Sequence, residues 1–232
     1  HKDISMLPRW SPDGKKIAYN SYKDNGAMLY LEDVGSGRVK RLSGRSGLNI
    51  GACWAPGGRE IALTMSHQGN PDIYVIDLQG KILRQLVSHW GIDVSPAFSP
   101  DRKKIAFVSN RSGAPQIYIQ EIETGEVRRV TYEGNYNTSP AWSSRDRLAY
   151  TSMEYGRFNL CTINPDGSGL RKLTSDQGDN EDPCWSPNGR YIAFSSNRDG
   201  EYHIYITHAS GHNQRRVTFE KGAQTSPSWA PE

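Results

Sequence analysis

Cysteine is scarce in this chain of 232 residues: Cys53, Cys161 and Cys184 are all there are, an odd number with no CxxC spacing. A disulfide framework and a zinc-type ligand set are thereby disfavoured, and each thiol reads as a small buried hydrophobe. Long apolar runs are missing too. Nothing approaches the roughly 18 uninterrupted apolar residues of a membrane helix, so the chain is not expected to span a membrane. Neither sign of charge dominates, with 28 basic against 25 acidic residues for a formal net charge of +3, scattered without a basic run. Nucleic acid is therefore not an expected partner, and neither is an anionic lipid surface.

Catalytic signatures are absent as well: no Gly-x-Ser-x-Gly elbow, no His-Glu-x-x-His pair and no phosphate-cradling glycine loop, residues 44–47 (Gly-Arg-Ser-Gly) being a polar turn. The six histidines, at 1, 67, 89, 203, 208 and 212, are dispersed. Asp176, Asp179, Glu181 and Asp182 read as a solvated acidic loop rather than a calcium site, and no cofactor is expected. The chain opens at His1 with no initiating methionine, and loss of a targeting segment or an upstream domain is the expectation.

What the sequence has in quantity is turns, with 23 glycines and 13 prolines, and a repeat. An aromatic recurs as Trp10, Trp54, Phe98, Trp142, Trp185 and Trp229, at steps of 44, 44, 44, 43 and 44 residues. A period of that size marks either a propeller blade or a helical solenoid unit. Within the first unit four β-like segments stand at 8–11, 17–21, 28–33 and 39–43, separated by turn chemistry at 12–14, 23–26 and 35–37. Period-two alternation with a turn every 8–12 residues excludes the helical alternative. The fold expected is an all-β propeller of four-stranded antiparallel blades.

The repeats run at about 8–50, 51–94, 95–138, 139–181 and 182–225, and residues 226–232 supply the innermost strand of a sixth, making residues 1–232 a single propeller domain. Residues 1–7 read as the tail of a connection, too short for three further strands. The expected ring is thus six-bladed and shortened on its N-terminal side, with five blades as the competing geometry. Within each blade the recurring aromatic wedges against the neighbouring blade, and proline before it suits a strand start.

Function is sought between the copies. The links at 44–51, 88–95, 132–139, 175–182 and 219–226 share one face with the loops joining second and third strands, and they vary in composition. His89, Trp90, Tyr132, Tyr136 and Asn137 lie there, aromatic and polar groups of the kind that anchor a protein partner. Covering the ends of adjacent blades is the structural alternative for Trp90 and Tyr136.

Ser-Pro-Ala-Phe-Ser-Pro-Asp at 95–101, Ser-Pro-Ala-Trp-Ser at 139–143, Asp-Pro-Cys-Trp-Ser-Pro-Asn-Gly at 182–189, Ser-Asn-Arg-x-Gly at 109–113 and 196–200, and a Pro-x-Trp-x-Pro ending make the chain resemble the TolB propeller family. The resemblance covers essentially the whole length, although the repeat also occurs in propellers attached to prolyl-oligopeptidase-like hydrolases. It implies a noncatalytic, monomeric, periplasmic module of the Tol-Pal envelope system that binds a Pal-like lipoprotein over the loop face and channel mouth. By the same resemblance, the contact positions correspond to Leu48, Gly51, Val94 and Ser95. None of these carries a charge or an imidazole, and His89 and Asp93 are the nearby groups that would substitute. The alternative function is a substrate-gating propeller of a hydrolase whose catalytic domain lies outside the chain.

Overall fold

A computed structural model describes residues 5–23, 26–44, 47–66 and 69–231 of the chain. The first blade contains β1 (Ser5–Trp10), β2 (Lys16–Ser21), β3 (Met28–Asp33) and β4 (Val39–Ser43), and the second β5 (Asn49–Trp54), β6 (Glu60–Met65), β7 (Asp72–Asp77) and β8 (Ile82–Val87). The third has β9 (Asp93–Phe98), β10 (Lys104–Ser109), β11 (Gln116–Glu121) and β12 (Val127–Arg129). In the fourth are β13 (Tyr136–Trp142), β14 (Leu148–Glu154), β15 (Arg157–Ile163) and β16 (Arg171–Lys172), and in the fifth β17 (Asn180–Trp185), β18 (Tyr191–Ser196), β19 (His203–His208) and β20 (Arg215–Arg216). Each set of four forms its own antiparallel sheet, paired in sequence order.

Burial explains the strand sequences. The middle strands of a blade are covered on both faces by neighbouring blades, so they read as nearly continuous apolar runs: Ile105, Ala106 and Phe107 are fully buried, as are Ile61, Ala62 and Leu63. The outermost strands are half open to water and carry basic pairs, Lys40-Arg41, Arg128-Arg129, Arg171-Lys172 and Arg215-Arg216. The core is accordingly divided into interblade layers. One layer joins Leu29, Leu31 and Leu42 of the first blade to Trp54, Leu63 and Tyr74 of the second. Similar layers join the second to the third, the third to the fourth and the fourth to the fifth. Each buried side chain of the size of Trp54 contributes on the order of 1.5–3 kcal/mol, and its indole Nε1 also donates across the layer to the Arg9 carbonyl at 3.0 Å.

Three expectations change. The described residues form five blades and no sixth sheet, and residues 223–231 join no ladder. They nevertheless cross the seam between the fifth and first blades. Gln224 N donates to Tyr202 O at 2.8 Å, Ser226 N to Ser195 Oγ at 3.0 Å and Trp229 N to Cys184 Sγ at 3.3 Å. On the far side Trp10 N donates to Ser228 Oγ at 3.3 Å. Phe98 N makes the equivalent bond to Cys53 Sγ, at 3.4 Å, between the second and third blades.

The second change is at the strand starts. Innermost strands begin at Asn49, Asp93, Tyr136 and Asn180, two or three residues before the recurring motif, and β1 begins at Ser5 within the stretch read as a connection. A bulge lies inside each of these strands, so the pairing resumes on the N-terminal side of the motif. The third is at the outer edge, where β16 and β20 are two residues long. His1, Asp24, Asn25, Arg45, Ser46, His67 and Glu232, and with them parts of the turns read at 23–26 and 44–47, lie outside the described residues.

Candidate functional site

The bulge is what shapes the centre of the ring. Three residues before each recurring aromatic, the backbone turns left-handed: Leu7 (φ 54°), Gly51 (68°), Ser95 (56°), Ser139 (51°), Asp182 (53°) and Ser226 (55°). Glycine adopts this conformation freely, but the other five do so at a steric cost, and Leu7, Ser95, Ser139 and Asp182 are held by the ladders on either side. At several of these positions the amide is secured by the preceding blade: Gly51 N donates to Asn20 Oδ1 at 3.2 Å, Ser95 N to Thr64 Oγ1 at 3.2 Å, and Ser226 N to Ser195 Oγ. Leu7, Gly51, Ser95, Ser139 and Asp182 line a central cavity of about 310 Å³ whose walls are the innermost strands β1, β5, β9, β13 and β17.

Polar chemistry in that ring is concentrated at Asp182. Its Oδ1 accepts from Ser139 Oγ of the fourth blade at 3.2 Å, and its Oδ2 from Ser226 Oγ at 2.9 Å. Next to it, Glu181 accepts from Tyr202 Oη at 2.5 Å. Burial pushes the Glu181 carboxyl above its ordinary range, and the neighbouring Asp182 and Asp179 carboxylates add to the shift against the Tyr202 bond. Among the described residues no group of three or more His, Cys, Asp or Glu side chains is arranged to hold a metal ion. All three cysteines are free.

The loop face surrounds one end of this cavity. Links and second-to-third-strand loops meet there directly, since Ser66 N donates to Leu48 O at 3.2 Å, Asn110 N to Ile92 O at 3.3 Å and Asn197 N to Asp179 O at 3.2 Å. Trp90 is 72% exposed and tilted against His89 with ring centroids 5.0 Å apart. Its link is fixed at both ends, by the His89 amide donating to Asp72 Oδ1 at 3.4 Å and Ile92 N donating to Asn110 Oδ1 at 2.7 Å. Tyr136 is partly exposed and packs edge-on against Phe158 at 6.0 Å. Between them Ile92, Val94, Val108, Pro115 and Tyr136 line a shallow groove of about 160 Å³.

The predicted residues therefore separate into three groups. His89, Trp90, Val94 and Tyr136, with the half-buried Leu48, are on or beside the loop face, while Gly51 and Ser95 belong to the cavity ring. Asp93 and Asn137 are corrected to interior positions, both 0% exposed. Asp93 accepts both its bonds from Arg111, at 3.0 and 3.1 Å, and Asn137 Nδ2 donates to Gln116 Oε1 and Glu133 O at 2.8 Å. Neither can present its side chain to a partner, because each sits inside the strand start that the bulge pulled out of the link.

Four large apolar residues on the same face were not among the candidates: Tyr22, Ile92, Tyr155 and Phe219. Tyr155 is 99% exposed at the β14–β15 turn, and Phe219 is 73% exposed, with Arg216 lying 5.3 Å over its ring as Arg129 lies 4.8 Å over Tyr132. Their signal was available in sequence, since each occupies a connection that topology assigns to this face. Ser139, Asp182 and Ser226 were likewise legible as the positions 43–44 residues apart that continue Gly51 and Ser95.

The comparisons agree with this architecture. A 44-residue stretch, 19% of the chain and 10% of the relative, is 52% identical to the Tol-Pal system protein TolB of Coxiella burnetii. The crystal structure of TolB from Acinetobacter baumannii superposes with a TM-score of 0.90 at 29% identity, covering 99% of this chain and 58% of that one. The same fold recurs at 21% identity in tricorn protease, with a TM-score of 0.73 over 98% of this chain and 23% of the protease. This chain thus spans little more than half of the Acinetobacter protein. Residues 1–232 in their entirety match the TolB beta propeller domain, with its recurring aromatic and its four-stranded blades, and the chain belongs to that family.

Proposed function

We propose that this chain is the propeller of a Tol-Pal system protein, acting without catalysis in the periplasm as a docking module for a Pal-like lipoprotein. The observation that carries the reading is the exposure of Trp90, Tyr132, Tyr136, Tyr155 and Phe219 on one face of the ring, that of the links and second-to-third-strand loops. Rigid aromatics on loops fixed by hydrogen bonds are suited to bury area with little ordering cost. The name carried by the Coxiella relative supports the system. Leu48, Gly51, His89, Trp90, Val94, Ser95 and Tyr136 form the contact set, and Asp93 and Asn137 support it from inside.

No helix among the described residues is long and apolar enough to cross a membrane. Titration of the intact protein with the soluble domain of Pal from the same organism gives a saturable complex. Trp90→Ala and Tyr136→Ala each weaken it by about tenfold, the scale of an interface anchor. Tyr191→Ala, on a partly exposed tyrosine beside the opposite end of the blades, leaves it unchanged. Absence of binding by the intact wild-type protein overturns the reading.

A further inference from the structure

Two charged residues line the central cavity, Arg9 and Asp182, and they are of opposite sign. Neither forms an ion pair among the described residues. Arg9 stands one residue before Trp10, and Asp182 three residues before Trp185, so the two charges occupy different levels of equivalent strands. Asp182 faces the loop-side mouth and Arg9 lies deeper. The other lining positions are small or apolar, among them Ala52, Cys53, Ala97, Pro140 and Ala141.

The surroundings of each charge match one end of a dipolar solute. Asp182 holds the Ser139 and Ser226 hydroxyls, one on each carboxylate oxygen. Each oxygen retains acceptor capacity beyond that single bond. An ammonium group placed there completes the set. Arg9 donates Nη1 to the Pro8 carbonyl at 2.9 Å, which orients the guanidinium while its remaining donors have no partner among the described residues. Those donors suit a carboxylate. A ligand bearing both signs supplies each half-buried charge with its counter-charge in one molecule.

We infer that the central cavity is a binding site for a compact zwitterion of the α-amino-acid class, its ammonium at Asp182 with Ser139 and Ser226 and its carboxylate at Arg9. With a volume of about 310 Å³ the cavity is at the small end of ligand pockets. The site borders the proposed contact set at Gly51 and Ser95, but its two charges, Arg9 and Asp182, belong to the channel wall and not to that set.

Calorimetric titration of the intact protein with L-alanine, methylamine and acetate tests it. Alanine binds saturably, and the two single-charge controls bind about tenfold more weakly or less, because each satisfies one end only. Arg9→Gln and Asp182→Asn each lower alanine affinity by about tenfold, whereas Arg9→Lys, which keeps the charge, retains most of it. Saturable alanine binding that is insensitive to both neutral variants overturns the assignment, as does the absence of any saturable heat with alanine at millimolar concentration. If a variant fails to fold, the comparison of alanine with methylamine and acetate on the wild-type protein decides, equal affinities for all three counting against the site.

Discussion

Arg111 and Arg198 fill the same place in two blades with different partners. Arg111 lies about 5 Å over the rings of Phe107 and Tyr118 and donates to both oxygens of the buried Asp93. Arg198 lies over Phe194 and Tyr205 and donates to Asn180 Oδ1 at 2.7 Å and Gln214 Oε1 at 2.8 Å. In the third blade the acceptor is charged and fully buried, so Arg111→Ala strands a carboxylate and is expected to cost about 3 kcal/mol in chemical denaturation at neutral pH. Adding Asp93→Asn recovers a large part of that loss, since an uncharged asparagine, Asn49, Asn137 or Asn180, occupies the matching buried position in other blades. Glu181 predicts a pH effect of definite sign. Its folded-state affinity for a proton is raised, so its contribution to stability is greatest below the ordinary glutamate range and is lost as the pH rises through the raised value. Glu181→Gln keeps an acceptor for Tyr202, and its melting temperature exceeds that of wild type at neutral pH, with the gain fading toward about pH 4.

At the scale of the element, the first hairpin of each blade shows how one geometry tolerates several sequences. The turn after the innermost strand needs a left-handed residue, supplied by Gly14, Gly58 and Gly189 in three blades but by Arg102 (φ 61°) and Asp146 (φ 54°) in the others. Asp146 is compensated by the Trp142 indole, which donates to its Oδ1 at 2.8 Å. Arg102 has only an exposed pair with Glu60, which also meets Arg84 at 3.5 Å. Arg102→Gly is therefore expected to stabilise the protein by up to about 1 kcal/mol in thermal or urea unfolding, the backbone relief exceeding the lost surface pair. Gly80 in the β7–β8 hairpin is the opposite case: a Cβ there would stand 2.0 Å from the Leu42 carbonyl oxygen of the first blade. Gly80→Ala should cost more than about 2 kcal/mol in the same measurement, because both the left-handed conformation and the interblade contact resist it. The basic pairs on β4, β12, β16 and β20 fit the need to discourage pairing of open sheet edges with other chains.

At the scale of the molecule, the weakest joint is the seam between the fifth and first blades. Four interblade layers are filled by buried apolar clusters, while this seam is crossed by residues 224–231 through a handful of hydrogen bonds. Deleting residues 224–231 is expected to raise amide hydrogen exchange first in β1, β17 and β18, which lose those bonds, and only later in β10 and β14 at the middle of the layers. Uniform exchange across all five blades would show that the segment contributes nothing to ring closure.

Most of the architecture was legible beforehand because a propeller is written locally. A 44-residue period, hairpin turns and two-residue alternation specify four strands per blade with no information about distant contacts. The face on which links gather followed from topology, and Trp90 and Tyr136 were placed on it by that reasoning alone. What sequence did not decide was depth. Asp93 and Asn137 look like loop residues, yet the bulge shifts the strand start past them and the next blade closes over them. Nor could it show that Ser139, Asp182 and Ser226 converge on one carboxylate, or that Arg9 shares a cavity with it, since they come from four separate places around the ring. Repetition along the chain determines the blade; only closing the blades about a common axis decides which side chains meet at the centre. The physical reason is that hydrogen-bond ladders are local, whereas the cavity and its two charges arise from packing between units.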